Sequence, residues 1–202
     1  EVDEHLARLE ATMGRRLGNA ADPLLVSVRS GAKFSMPGMM ETVLNIGLND
    51  TSVEGLAAQT ENPRFAWDSY RRLVQMYGKT VLDLDGDRFE DAIDAAKAAK
   101  GVNADIDLDA DDLRALVSTY KSIIEQEACS PFPQDPRAQL HGAIVAVFNS
   151  WNSPRAILYR RREHIPTDLG TAVNVQAMAF GNRGSDSGSG VAFTRDPSTG
   201  AV

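Results

Sequence analysis

Arg29 closes the apolar run Leu24-Leu25-Val26-Ser27-Val28 and is followed by Ser30-Gly31-Ala32. An arginine ending a buried strand projects a fixed cation at the margin of a sheet, and its rigid fork of donors matches phosphate oxygens. The plainer reading is a salt bridge at a strand terminus. A second candidate is Gly181-Asn182-Arg183-Gly184-Ser185-Asp186-Ser187-Gly188-Ser189-Gly190. Gly184, Gly188 and Gly190 open backbone conformations closed to other residues, so such a loop can aim several N–H groups at an anion. It is neither a Walker A loop nor a dinucleotide fingerprint, since no Gly-Lys-Ser/Thr follows it and the next segment reads as a strand. The plainer reading is a mobile hairpin loop.

Three further clusters carry weaker signals. Ser35-Met36-Pro37-Gly38-Met39-Met40-Glu41-Thr42 concentrates methionines that form either an adaptable apolar lid or ordinary core. The basic run Arg155, Arg160, Arg161 and Arg162, like Arg71-Arg72, reads most simply as a solvated helix face. Asp83, Asp85 and Asp87 mimic the opening of a calcium loop, but its twelfth position holds Asp94 and not Glu. No nucleophile–base pair is visible, and His5, His141 and His164 are scattered.

These side chains need a scaffold. Leu6, Leu9, Met13 and Leu17 predict a helix over 3–17, stopped by Gly18-Asn19. A strand over 24–28 follows, then a turn at Pro37-Gly38 and a short helix over 39–46. From Thr51 to about Gln134 the alternation of strands nearly vanishes, and helices are predicted over 52–59, 63–77, 88–100 and 110–127, the last capped by Asp109. Gln139–Trp151 carries an apolar stripe of Leu140, Ile144, Val147, Phe148 and Trp151, and Ser153-Pro154 opens one more helix. Period-two alternation over 172–180 and the run 191–195 predict two strands flanking the glycine loop.

The chain has 202 residues, 43% hydrophobic and 24% charged, with a net charge of −7. That acidic balance argues against a general nucleic-acid binder. No apolar run reaches the roughly 20 residues of a spanning helix. Cys129 is the single cysteine, which excludes an internal disulfide and suits a reducing, cytoplasmic setting. The chain opens at Glu1 and ends at Gly200-Ala201-Val202, and reads as a piece of a longer polypeptide.

The stretch 24–32 with Ser35-Met36-Pro37-Gly38-Met39-Met40-Glu41-Thr42-Val43-Leu44-Asn45-Ile46-Gly47-Leu48-Asn49-Asp50 closely resembles the nucleotide-binding domain of the pyruvate, phosphate dikinase family. Phe65–Arg72, Ser150–Ala156, Gly170–Met178 and Val191–Gly200 match as well, so the likeness covers nearly the whole chain. The resemblance implies an α+β fold, a partial ATP-grasp nucleotide-binding domain with an all-helical inserted subdomain. Residues 1–50 and 138–180 would form the first lobe, 51–137 the helical subdomain, and 181–202 the truncated start of the second lobe. It implies that Arg29 is the family's phosphate-binding and catalytic arginine. Gln176, Met178 and Ala179 would line the adenine pocket, and Gly184, Gly188 and Gly190 would form a flap over the phosphates. Arg72 would lie near the docking surface of a swivelling phosphohistidine domain of the same full-length chain.

Family members convert ATP, phosphate and pyruvate to AMP, pyrophosphate and phosphoenolpyruvate through that phosphohistidine, with Mg2+ accompanying the nucleotide. The family's ATP-binding lysine would precede Glu1, and its metal-binding carboxylates would follow Val202. The segment alone is therefore expected to bind nucleotide weakly and to turn nothing over. A homodimer of the full-length enzyme is left open, and unpaired strands of the last lobe are a candidate for self-association. A phosphoenolpyruvate synthase-like ATP-binding domain and a non-catalytic helical interaction module are the alternative readings.

Overall fold

The computed structural model describes residues 1–201; Val202, the last residue of the expected second lobe, lies outside them. The chain is mixed helix and sheet. Helix α1 (Val2–Met13) stops where Gly14 turns left-handed at φ 64, so Leu17 falls beyond the helix that its spacing predicts. Arg16–Leu17 (β1) and Pro23–Leu24 (β2) form a short parallel pair. The main sheet has three antiparallel strands in the order β4-β3-β5, namely Thr42–Ile46, Val26–Ser30 and Val173–Ala177.

The helix expected over 39–46 is corrected by β4. Thr42, Val43 and Ile46 are β-branched and fit a pleated surface better than a helix. The register slips between Val26 and Val28 of β3, so β4 carries a bulge, and Asn45 within it adopts φ 61. Asn tolerates that left-handed geometry, and its Nδ2 donates to the carbonyl of Ser69 at 3.0 Å. Helix α3 (Pro63–Thr80) runs along the outer margin of β4, where the Leu44 amide donates to Met76 Sδ at 3.2 Å. Strand β5 forms the opposite margin.

Four of the helices that follow β4 start on side-chain caps, while α2 (Ser52–Thr60) and α4 (Asp87–Lys100) do not. After α2, Asn62 caps α3 by accepting from the Phe65 amide, with Pro63 in the first turn. Helix α4 leads to α5 (Ala110–Ala128), where Asp109 and Asp112 form a reciprocal capping box. Asp135 caps α6 (Pro136–Ser150) and Ser153 caps α7 (Pro154–Arg162).

One apolar core joins the sheet to these helices: Val26, Val28, Val43 and Ile46 share it with Leu73, Tyr77, Tyr120 and Val147. The buried amide of Gln139 ties sheet and helix together, accepting from the Gly47 amide and donating to the carbonyls of Leu48 and Pro133. A second, smaller cluster gathers Met36, Trp151, Ala156 and Ile165.

The strand expected over 191–195 does not form. Val191 and Phe193 stand 83% and 67% exposed, and no described segment offers them a ladder or an apolar face. Self-association of the kind expected has no strand over 191–195 to act through. The stripe on α6 holds for Leu140 and Val147, which are buried, while Phe148 is exposed and Trp151 joins the second cluster. No described helix is long and apolar enough to cross a membrane.

Candidate functional site

Strand β3 is buried on both faces over Val26, Ser27 and Val28 and opens to solvent only at its end. Val26 and Val28 are completely buried in the core, and Arg29, one step on, is exposed on the other face. Arg29 pairs in register with Thr42 of β4 on one side and Asn174 of β5 on the other. Directly opposed residues in an antiparallel sheet share a face. Arg29 is thus flanked by two neutral polar side chains, and it makes no hydrogen bond or ion pair with any described residue. The expected terminal salt bridge is not formed. A Cβ at Gly31 would lie 2.8 Å from Nδ2 of Asn174, so a larger residue there would displace that amide.

Gln176 lies opposite Ser27 on this same polar face and is exposed. The Met178 amide donates to the Leu25 carbonyl at 2.9 Å, carrying the ladder one step past β5, while its side chain packs against the core. Ala179 is exposed just beyond. Phe180 then turns the chain inward, edge-on to Phe65 at 5.1 Å.

The glycine loop leaves the sheet and settles on the helices. Asn62 Nδ2 donates to the Arg183 carbonyl at 3.1 Å, and Arg183 Nη2 donates to the Gln59 carbonyl at 3.3 Å. Gly181 is the tight point, since a Cβ there would meet Ser189 Oγ at 1.8 Å and the Gly188 backbone at 2.8 Å. Gly188 and Gly190 face open space. Gly184 lines a cavity of about 630 Å3 together with Ser185, Asn62, Arg64, Asp68 and Arg72.

Arg72 comes from α3, and Asp68 holds it there. Asp68 is buried and accepts from Arg71 Nε and Nη2 at 3.0 and 2.7 Å with one oxygen, and from Arg72 Nε at 2.9 Å with the other. Arg71 is buried; burial works against its charge, and Asp68 beside it more than offsets this, so its pKa rises. Arg72 is half-exposed, and its two terminal nitrogens bond to no described residue. A second cavity, about 340 Å3, is lined by Arg72, Gln75, Met76, Thr42 and Leu44. Arg72 therefore borders both the loop cavity and the one reaching Thr42, the cross-strand partner of Arg29.

Two participants, Asp68 and Asn174, escaped sequence reasoning. Asp68, three and four residues ahead of the arginine pair, carried a helix-spacing signal that could have been read. Asn174 lies in a predicted strand, but its place opposite Arg29 depends on a pairing register that leaves no trace in composition. Arg160 departs from the solvated face expected of the basic run, being 2% exposed.

The family profile described as pyruvate phosphate dikinase, AMP/ATP-binding domain, matches residues 1–202. The chain belongs to that family. It is 56% identical over 201 residues to a pyruvate, phosphate dikinase of Clostridium symbiosum, covering 99% of this chain and 23% of the relative. The Rhizobium meliloti (strain 1021) enzyme of the same name is 54% identical, and the chloroplastic pyruvate, phosphate dikinase 1 of Oryza sativa subsp. japonica 55%, each over 200 residues and 99% of this chain. The chain covers 22% and 21% of those two relatives. It spans about a fifth to a quarter of the length of such relatives.

Within this AMP/ATP-binding domain the described residues include no group of three or more His, Cys, Asp or Glu side chains able to hold a metal ion. Asp83, Asp85 and Asp87 do not converge; Asp85 instead accepts from the Asp87 amide, and Asp83 takes φ 55. No chemical step is assigned to a metal.

Proposed function

We propose that this domain holds ATP for a longer dikinase that phosphorylates a catalytic histidine on the way to interconverting pyruvate and phosphoenolpyruvate. Overall, ATP, pyruvate and phosphate would become AMP, phosphoenolpyruvate and pyrophosphate. The observation that carries the reading is Arg29: an exposed guanidinium on the polar face of a sheet, with neutral neighbours and no acid to neutralise it. A cation left free in this way is available to an anionic ligand, and its planar fork donates to two phosphate oxygens at once. Phosphoryl transfer is catalysed mostly by positioning and charge stabilisation, which is what a rigid strand-borne arginine supplies.

In this reading the domain is a partial ATP-grasp fold, with 1–50 and 138–180 as first lobe, 51–137 as helical subdomain and 181–202 as the start of the second. Gln176, Met178 and Ala179 border the adenine, and Gly184, Gly188 and Gly190 the phosphates. The free terminal nitrogens of Arg72 support a docking role toward the phosphohistidine domain. Magnesium would take its ligands from the rest of the polypeptide, and the single exposed Cys129 fits a reducing cytoplasm.

Calorimetric titration with ATP, of wild type and Arg29→Ala, tests this. A wild-type affinity that Arg29→Ala leaves unchanged overturns the site.

A further inference from the structure

Arg160 is buried without a counter-charge. Its Nη1 donates to the carbonyl of Trp151, its guanidinium lies 4.0 Å over the Trp151 ring, and its Nε has no partner. No described carboxylate lies within ion-pair distance of it. Removing a guanidinium from water is costly, and a well-packed apolar side chain of similar volume at such a site is often at least as stable. Stability is therefore a poor explanation for a cation at this position.

What the cation does is fix the Trp151 ring, by stacking on its face and by holding the carbonyl at the end of α6. Trp151 packs in turn with Met36, and Ala32, Met39 and Met40 lie against the same cluster. These residues belong to the connection 31–41, which leaves β3 two residues after Arg29. The connection is tied at both ends: Gly31 N donates to the Ala172 carbonyl at 2.7 Å, and Glu41 N to Ser150 Oγ at 3.2 Å. Between those ends its one backbone hydrogen bond is local, from Met39 N to the Met36 carbonyl. The middle of the connection rests on the Trp151 ring.

We infer that Arg160 is a positioning residue for the nucleotide site, acting through Trp151 to set the Met36–Met40 segment beside Arg29. The inference rests on the proposed nucleotide-binding reading and adds a residue that touches no ligand.

The test compares Arg160→Met, Arg160→Lys and Arg29→Ala in the full polypeptide that carries these residues. ATP affinity is read by calorimetry and stability by thermal unfolding. Arg160→Met is expected to unfold at or above the wild-type temperature and to bind ATP roughly tenfold more weakly. Arg160→Lys keeps the charge without the planar stack and is expected to recover part of the affinity.

Wild-type ATP affinity in Arg160→Met, with Arg29→Ala impaired, overturns the positioning role and leaves the nucleotide reading standing. An Arg29→Ala protein that binds normally overturns both. If Arg160→Met fails to fold, Arg160→Lys decides: weaker binding at an unchanged unfolding temperature supports the role, and wild-type binding removes it.

Discussion

Arg29 and Asn174 stand directly opposite each other on neighbouring antiparallel strands, on the face of the sheet turned from the core. The amide of Asn174 cannot neutralise the guanidinium, so the charge is kept for whatever arrives at that face. A charge-assisted hydrogen bond contributes about 1.5–3 kcal/mol. Arg29→Ala is therefore expected to weaken ATP binding roughly tenfold to a hundredfold without shifting the unfolding curve, because the side chain packs against nothing. Paired titration and thermal unfolding check both halves.

Asp68 serves two arginines, and Arg71 is buried against it, with Asp105 farther off at 3.9 Å. Asp68→Asn is expected to lower stability by about 3 kcal/mol in urea unfolding, the usual scale for stripping one partner from a buried pair. Most of the loss belongs to Arg71, since solvent screens the half-exposed Arg72. A loss under about 1 kcal/mol would mean that the Asp68–Arg71 pair is not buried as described.

Gly55 approaches the chain at Ala20 so closely that a Cβ would lie 1.9 Å from its carbonyl oxygen. Both sides of that contact are backbone. Gly55→Ala must therefore push α2 away from the β1–β2 connection, at a cost of about 1–3 kcal/mol. Urea denaturation checks it; wild-type stability would falsify the close approach.

Gly181→Ala acts differently. Its clash is with the loop 188–189, which is exposed, so the global unfolding midpoint is expected to hold while the loop opens. Limited proteolysis between Gly184 and Gly190 should accelerate several-fold by comparison with wild type. Equal cleavage rates would show that the loop does not rest on Gly181.

Asp109 gives the acid limb of stability a definite window. Its bond from Lys100, and then the amide of Asp112, hold its carboxyl down from 3.8 to about 2. A folded-state value below the unfolded one means that the contribution is present above about pH 4 and lost as pH falls toward 2. Asp109→Ala should flatten the decline of stability across that window, as followed by circular dichroism.

The helices were legible because their start signals are local: Asn62, Asp109, Asp135 and Ser153 each cap the helix that follows. Arg29 was legible for the same reason, standing at the end of an apolar run. Strand β4 was not, since Thr42–Ile46 lacks clean alternation and the bulge at Asn45 reverses which residues face inward. The expected final strand failed on a non-local condition: Val191–Arg195 has strand-forming residues but nothing among the described residues to pair with. Arg160 looked solvated because a sequence gives charge but not the indole beneath it. The gathering of Arg72 and Gly184 around one cavity depends on how the loop after β5 folds onto α3, which no spacing encodes.

The two margins of the main sheet are finished unequally. Met76 and Ser69 seal the outer side of β4, whereas β5 keeps half its backbone donors and acceptors turned outward. The sheet thus has a direction of growth. Any added strand, whether contributed by distant parts of the same polypeptide or by a misfolded neighbour, must join beside Val173–Ala177. A proline placed there would block recruitment from that side and leave the opposite side untouched.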